Sequence, residues 1–315
     1  MLNLAAHPMA PNSPVPATHA AFGLTWSFPF PFLPFKAAAP GQSADVVVEL
    51  GLLPPLSALA RQAGPLRQVY DGSVRFGLPG VAKLLVSGGN HILVEPHPDG
   101  SAQALHLMLM GTAAALVLLQ RGALPLHGSA IATAKGAVLF VGHSGAGKST
   151  TLGAFLRRGY NMICDDLATI RMDEHGVPQV CPGATMYKLW ADSAEALGVA
   201  TESLPRVRSE LEKFMVPASD LQAGQSLQVH AVYQLKTHNG SGVLIEPRLD
   251  AGKFSALLDH TWQKLTVKAM GLHAAHFQRA VMMANRVRVI SVRRPDSGVV
   301  DADRLAAAIE ADFLG

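Results

Sequence analysis

Short runs of alternating apolar and polar residues recur in the first third of the chain and predict β-strands. The runs are bounded by Gly, Pro or Asn, as in a small, mostly antiparallel domain. Gly88, Gly89 and Asn90 separate the last two runs and predict a hairpin turn, because Gly and Asn adopt positive φ most easily. The predicted strands are 45–50, 74–78, 83–87 and 91–95.

The remainder of the chain alternates between strand-like and helical patterns, which predicts an α/β fold. Two of the strands, 127–133 and 137–141, are joined by a tight turn. The other predicted strands are 161–164, 167–172, 177–180, 229–235, 243–245 and 287–292. The predicted helices are 101–121, 148–158, 251–265, 274–284 and 301–313.

These patterns divide the chain into three parts. Residues 1–20 are rich in Pro, Ala and Ser and are predicted to form a mobile tail. Residues 21–100 form a small β-rich domain, and residues 101–315 form one α/β domain. Within the small domain, the Pro- and Phe-rich segment 28–35 is either a ligand for a partner or an extended strip packed on the domain, and the packed strip is favoured.

Composition excludes several classes of protein. Only 16% of the residues are charged, against about 25% in a typical soluble protein, so a membrane span has to be considered. The most apolar run, 107–119, is shorter than the roughly 20 residues that a spanning helix needs, which favours a buried helix and no membrane span. The net charge of +3 is scattered, which argues against a nucleic-acid partner.

Cysteine usage and the N-terminus predict a cytoplasmic protein. Cys164 and Cys181 are the two cysteines, and they have neither CxxC spacing nor a disulfide framework. The prolines near the N-terminus interrupt the apolar stretch that a signal peptide requires. The 13 histidines include no HExxH motif and no Cys/His ligand set.

The segment 142–149 carries the Walker A pattern G-x-x-x-x-G-K-[ST]. Glycines in such a loop let backbone N–H groups surround phosphate oxygens, and the following helix adds its positive end. The Lys reaches the outer phosphates, and the hydroxyl after it ligates Mg²⁺. Because a predicted strand precedes the loop and a predicted helix follows it, nucleotide binding is preferred to an ordinary Gly-rich turn. The predicted ATP-binding residues are Gly142, His143, Ser144, Gly145, Ala146, Gly147, Lys148, Ser149 and Thr150.

Two adjacent carboxylates, Asp165 and Asp166, follow strand 161–164, which we expect to neighbour the strand before loop 142–149, named the phosphate loop from here on. Kinases need one carboxylate for the metal and another for the proton of the attacking hydroxyl. Neighbouring residues at a strand end point to different sides, so these two can take different roles. A solvated acidic turn is the alternative.

The segment from His127 to Asp166 resembles the catalytic domain of HPr kinase/phosphorylase, a P-loop kinase that phosphorylates a serine of a phosphocarrier protein. The resemblance rests on His127-Gly128, on the loop 142–149 and on the run 158–166, RGYNMICDD. It implies an HPr kinase-like P-loop fold, with Asp165 as general base, Ser149 and Asp166 as metal ligands, and His127 beside the phosphate or Asp165.

A divergent branch of that family fits the wider layout. Where the enzyme carries a glycine-rich signature with a metal-binding glutamate, residues 180–190 read VCPGATMYKLW. The small β-rich N-terminal domain, the entry LHGSA at 126–130 and the Pro-Gly…Leu-Trp segment resemble the serine kinases of lasso-peptide gene clusters. That resemblance implies ATP- and Mg²⁺-dependent phosphorylation of a precursor peptide, at its C-terminal serine.

Four cations after the acidic pair are candidates for contacting the acceptor or the phosphates: Lys188, Arg206, Arg208 and Lys213. The last three belong to segment 205–217, which we interpret as a mobile basic loop or, with equal weight, as a solvated connector.

The leading hypothesis is a serine kinase acting on a peptide or small protein. The alternatives are a phosphocarrier kinase/phosphorylase, a small-molecule kinase and a non-catalytic nucleotide sensor. The sequence leaves open the acceptor, the nucleotide base, a reverse phosphorylase reaction and whether the chain forms a homo-oligomer.

Overall fold

A computed structural model of the protein describes residues 18–218, 224–296 and 302–315. The chain divides into two compact units. Unit 1 comprises residues 1–123 and 263–276, and unit 2 comprises residues 124–262 and 277–315. The division therefore falls after Ala123 and assigns the helical segment after residue 100 to the first unit, together with a short segment from late in the chain. Of the predicted mobile tail, residues 1–17 lie outside the described residues, and 18–20 belong to a strand.

The described part of the chain contains strands and helices in mixed order. The strands are β1 (Thr18–Ala21), β2 (Leu24–Ser27), β3 (Lys36–Ala37), β4 (Val46–Leu50), β5 (Arg61–Gln62), β6 (Arg67–Tyr70), β7 (Ser73–Leu78), β8 (Ala82–Ser87), β9 (His91–Pro96), β10 (Leu124–Thr133), β11 (Gly136–Val141), β12 (Asn161–Cys164), β13 (Leu167–Met172), β14 (Pro178–Cys181), β15 (Met186–Trp190), β16 (Lys213–Pro217), β17 (Leu227–His238), β18 (Leu244–Pro247) and β19 (Arg288–Pro295). The α-helices are α1 (Ala102–Met108), α2 (Ala114–Gln120), α3 (Lys148–Arg157), α4 (Ala191–Ala196), α5 (Ala251–Asp259), α6 (Lys264–Ala269), α7 (His273–Arg286) and α8 (Ala302–Leu314).

Unit 1 is built on one sheet with strand order β3-β1-β2-β4-β9-β8-β7-β6-β5. The four strands predicted from the alternating pattern are direct neighbours in this sheet, in the order β4-β9-β8-β7, and the hairpin joins β8 to β9. The Phe-rich segment packs within the unit, since Phe28, Phe32 and Phe35 are buried and their rings contact one another. This confirms the prediction that the segment is a strip packed on its own domain, and not the alternative that it is an exposed ligand for a partner.

A helical stretch from Ala102 to Gln120 runs through α1, a π-helical segment (Leu109–Ala113) and α2. It is long and apolar enough to cross a membrane by length and composition alone, and 61% of its apolar window is buried within the protein. Gln120 at its end donates to Val86 O of β8 at 3.1 Å. These observations agree with the prediction of a buried core helix.

Unit 2 is a mixed α/β unit whose central strand, β11, leads into the phosphate loop. β11 pairs with β10 antiparallel and with β17 parallel, and β17 pairs in parallel with β19. Further pairings of β10 with β13, β13 with β14 and β14 with β17 close the sheet on itself. The carboxyl ends of β11, β17 and β19 therefore meet at one edge, which carries the phosphate loop.

The alternation of side chains along β11 separates two apolar cores. Val138 and Phe140 pack into one core with α3 and α8, whereas Leu139 and Val141 pack into the other with α5 and α7. A strand buried on both faces is apolar at every position, as 137–141 is. Helices therefore cover both faces of the strand that leads into the phosphate loop.

Two expectations about the elements next to the phosphate loop differ from the structure. Strand β12, which ends at the acidic pair, pairs with β10 and not with β11, because the β10–β11 hairpin and the long strand β17 already occupy both edges of β11. The helix predicted over 251–265 ends at Asp259, since Thr261 forms a bridge with Leu126 and Gln263 has a φ of 61°. The acidic pair reaches the phosphate loop across β10.

Candidate active site

The phosphate loop turns tightly between β11 and α3. Gly145 and Gly147 have φ values of 82° and 99°, which only glycine adopts without strain. Gly142 is required for a different reason: a Cβ there would lie 2.8 Å from Leu235 O and 2.9 Å from the Ala146 Cβ. The loop residues thus have the conformations and close contacts that the Walker A glycines require, and the loop ends at the N-terminus of a ten-residue helix.

Lys148 is held inside the curve of this loop. Its Nζ donates to Gly142 O at 2.8 Å and to His143 O at 3.1 Å, and only 8% of the residue is exposed. Burial lowers the pKa of Lys148, whereas the charges of Asp165 and Asp166 raise it in part. The ammonium is therefore positioned by the loop backbone and attracted by both carboxylates.

Asp165 is the carboxylate that contacts the phosphate loop. Ser149 Oγ donates to Asp165 Oδ1 at 3.0 Å, Ser129 Oγ donates to the same oxygen at 2.7 Å, and Lys188 N donates to Oδ2 at 2.9 Å. The residue is 6% exposed. Three donors from three segments fix this carboxylate beside the Ser149 hydroxyl, which is the hydroxyl predicted to ligate Mg²⁺.

Asp166 faces a different set of partners. Lys188 Nζ donates to its Oδ2 at 2.7 Å, and His127 Nε2 donates to its Oδ1 at 3.1 Å. Because an ionised carboxylate only accepts hydrogen bonds, His127 carries its proton on Nε2. Burial alone raises the pKa of Asp166, but the Lys188 charge and the His127 hydrogen bond hold it well below its usual range. Asp166 also has a φ of 69°, which turns the two carboxylates to different sides.

A two-stranded ribbon of β15 and β16 forms one wall of the site. Trp190 pairs with Lys213 and Lys188 with Met215, so these side chains share one face of the ribbon. Tyr187 and Leu189 on the opposite face pack into the core with α3. The ribbon therefore presents Lys188, Trp190 and Lys213 to the site. Of the segment 205–217, for which the sequence left a mobile basic loop and a solvated connector equally open, residues 213–217 form strand β16.

Arg294 at the carboxyl end of β19 lines the cleft and donates hydrogen bonds to the phosphate loop. Its Nε donates to Ala146 O at 3.2 Å and its Nη2 donates to Gly145 O at 3.1 Å. Only 9% of the residue is exposed. The sequence did not single out this arginine, because its only signal is its position at the end of a strand parallel to β17.

The segment after α5 supports His127 and the loop. His127 N donates to His260 O at 2.7 Å, and the Trp262 ring meets the His127 ring edge to face at 4.9 Å. Gln234 donates to His260 Nε2, at 3.0 Å. Burial, followed by the nearby charges of His143 and Lys148, lowers the pKa of His260 to about 4, so this ring is neutral and accepts that hydrogen bond.

These residues surround a cleft of about 470 Å³ in unit 2. Of the residues predicted for the site, it is lined by His127, Ser144, Gly145, Gly147, Lys148, Ser149, Thr150, Asp165, Asp166, Lys188 and Lys213. Arg206 pairs instead with Glu212 at 2.7 Å, and Arg208 is exposed; neither belongs to the lining. The structure thus brings together the phosphate loop, the acidic pair, His127 and two of the four candidate cations.

The cleft suits a Mg²⁺–triphosphate group. Within the described ranges, no cluster of three or more His, Cys, Asp or Glu side chains is arranged to hold a metal. Mg²⁺ at phosphate sites is typically held by one or two protein oxygens together with phosphates and water. Ser149 Oγ and the Asp165 carboxylate supply such oxygens next to the Lys148 ammonium.

Comparisons with known proteins give little beyond this geometry. No protein-family model and no curated protein matches the chain. Among solved structures, the chain is similar to the Hpr(Ser) kinase/phosphatase from Coxiella burnetii at 13% identity and a TM-score of 0.33. The alignment covers 60% of this chain and 90% of that one.

Proposed function

We propose that the protein is an ATP- and Mg²⁺-dependent serine kinase acting on a peptide or small protein. The observation that carries the proposal is the contact between Ser149 Oγ and the Asp165 carboxylate at the N-terminus of α3, directly beside the buried Lys148. A hydroxyl, a carboxylate and an ammonium in this arrangement are what P-loop phosphotransferases use to hold a metal and a triphosphate.

The loop 142–149 and the N-terminus of α3 bind the phosphates of ATP, and Lys148 meets the outer ones. When bound, Mg²⁺ neutralises charge on the phosphate oxygens. Ser149 and Asp165 would hold this metal. Arg294 fixes the loop carbonyls of Gly145 and Ala146 through its two hydrogen bonds and so holds the loop in one conformation.

This assignment exchanges the roles that the resemblance implies for the two carboxylates. Asp165 is the one in contact with the metal-binding hydroxyl, whereas Asp166 contacts Lys188 and His127. Asp166 therefore becomes the group that receives the acceptor hydroxyl. Lys188 and His127 together lower the pKa of Asp166, and transfer of the Lys188 ammonium to a phosphate oxygen would raise it, which would let Asp166 accept the proton.

His127 orients Asp166 through the 3.1 Å hydrogen bond and is itself held by Trp262 and His260. A serine hydroxyl placed between Asp166 and the outer phosphate would lie in line for transfer. The finer part of the proposal, that the acceptor is the C-terminal serine of a lasso precursor peptide, rests on the sequence resemblance and on the lysines of the ribbon.

The proposal is tested by incubating the protein with ATP labelled on its γ-phosphate and a panel of serine peptides, including lasso precursors ending in serine. We expect labelled phosphoserine with the wild-type protein and none with Lys148→Ala. Hydrolysis without any labelled peptide or protein would favour a nucleotide sensor, and labelling of small hydroxyl metabolites alone would favour a small-molecule kinase.

A further inference from the structure

Lys213 lies beside the Trp190 ring on the ribbon that forms one wall of the cleft. Its Nζ lies 5.2 Å from the centre of the Trp190 ring, directly opposite it on the neighbouring strand. Both residues line the cleft together with Lys148, Lys188 and the acidic pair. A cation over an indole face is held in place by the ring quadrupole and by the apolar stem packed on the ring.

The charged groups around Lys213 are paired with one another and not with Lys213. Lys188 forms an ion pair with Asp166, and Asp165 is occupied by two serine hydroxyls and a backbone N–H. In the described part of the chain, Lys213 has no ion pair with a carboxylate. Burial lowers the pKa of Lys213, with Lys188 acting in the same direction and Asp166 against it. A partly buried cation without its own carboxylate is stabilised by an anionic ligand.

We propose that Lys213, held over Trp190, binds an oxyanion of a substrate and thereby selects it. The proposal rests on the proposed function and names a further residue of the same cleft. The oxyanion has two sources, the γ-phosphate of ATP and a carboxylate of the acceptor. In a C-terminal serine, the free α-carboxylate belongs to the same residue as the reacting hydroxyl. In an amidated or internal serine, an uncharged amide takes the place of that carboxylate.

Two variants of Lys213 separate the effect of its charge from the effect of its packing. Lys213→Met keeps the stem on the Trp190 ring and removes the charge, and Lys213→Arg keeps the charge. Lys36→Met is the matched control, because Lys36 is exposed on a short strand of unit 1. Trp190→Leu removes the ring and should weaken oxyanion binding by only about two- to fivefold, the usual worth of an exposed cation–π contact.

The first arm measures the γ-phosphate source. Affinities for MgATP and MgADP are determined by titration calorimetry for the wild type and each variant. If Lys213 binds the γ-phosphate, Lys213→Met loses about tenfold or more in MgATP affinity and little in MgADP affinity, as expected for one lost charge-assisted hydrogen bond.

The second arm measures the acceptor source. With Mg²⁺ and a non-hydrolysable ATP analogue bound, the protein is titrated with N-acetyl-glycyl-serine and with its C-terminal amide, followed by ligand NMR. If Lys213 binds the acceptor, the wild type and Lys213→Arg prefer the free acid by about tenfold or more, and Lys213→Met does not.

Either pattern supports the proposal and identifies the source. It is overturned if Lys213→Met retains, within twofold, both the ATP-over-ADP ratio and the acid-over-amide ratio of the wild type. It is also overturned if the wild type shows neither preference. These results leave Lys148-dependent MgATP binding intact, whereas failure of the proposed function would appear as no MgATP binding by the wild type.

Discussion

Replacing Asp165 by Asn tests the exchanged roles of the two carboxylates. Asn has nearly the same shape as Asp. The substitution therefore changes only the chemistry of one atom, because an N–H₂ group replaces one carboxylate oxygen. The Lys188 N–H donates to Oδ2, so the remaining carbonyl must stay on that side and the new N–H₂ group must face Ser149 and Ser129. Hydroxyls can rotate to accept, so all three contacts persist in neutral form.

The structure therefore predicts a small effect on folding and a large one on metal binding. Weakening charge-assisted hydrogen bonds to neutral ones costs about 1–2 kcal/mol of unfolding free energy. At the proposed metal position, however, a carboxylate oxygen becomes an N–H₂ group, which cannot ligate Mg²⁺. We expect the concentration of Mg²⁺ that half-saturates ATP binding to rise by an order of magnitude or more, about the 10–100-fold typical when a group supporting a metal is lost.

The assay is titration calorimetry of ATP with the protein at a series of Mg²⁺ concentrations, with urea denaturation to measure stability. Asp166→Asn is the matched control, since it removes the neighbouring carboxylate. It should keep the Mg²⁺ dependence and lower turnover by about 10²–10⁴-fold, the range for a general base. The reasoning is refuted if Asp165→Asn keeps the wild-type Mg²⁺ dependence and Asp166→Asn loses it, which would restore the roles implied by the resemblance.

Two further predictions concern stability. Gly142→Ala places a Cβ within 3 Å of Leu235 O and the Ala146 Cβ and should lower the unfolding free energy by about 1–3 kcal/mol. Gly111→Ala is the control, because no atom lies within 4 Å of a Cβ at that position, and it should not lower the unfolding free energy. Thermal unfolding of both variants checks this, and equal melting temperatures would contradict it. The pKa of Asp166 is lowered in the folded state, so its ion pair with Lys188 stabilises the fold above the unfolded pKa of about 3.9, and that stability is lost as the pH falls through the folded value. Urea denaturation from pH 7 to pH 3 should show a smaller acid-dependent loss for Asp166→Asn than for the wild type, and identical profiles would contradict the ion pair's role.

Local patterns predicted the elements of the site well. Helix α3 begins at Lys148 as predicted, because the glycines of the loop and the apolar run before it are contiguous in sequence. Strands β12 and β13 have the predicted bounds for the same reason.

What the sequence could not predict depends on distant partners. Lys188 and Lys213 come together because β15 pairs with β16 across a connection of more than 20 residues that carries no repeating pattern. Arg294 contacts Ala146 of the phosphate loop, although the two residues are 148 positions apart in the sequence. Strand pairing of this kind depends on burial of one ribbon face in the core, and no periodicity within either strand records which partner it meets.

The central claim is that Mg²⁺ and a nucleoside triphosphate bind together in this cleft through Lys148, Ser149 and Asp165. The most direct measurement is the affinity of MgATP for the wild type and for Lys148→Ala, with Lys135→Ala as a control lysine at the turn between β10 and β11. We predict Mg²⁺-dependent ATP binding by the wild type and by Lys135→Ala, and its loss in Lys148→Ala. Equal affinity in all three proteins, or no binding by the wild type, would contradict the account.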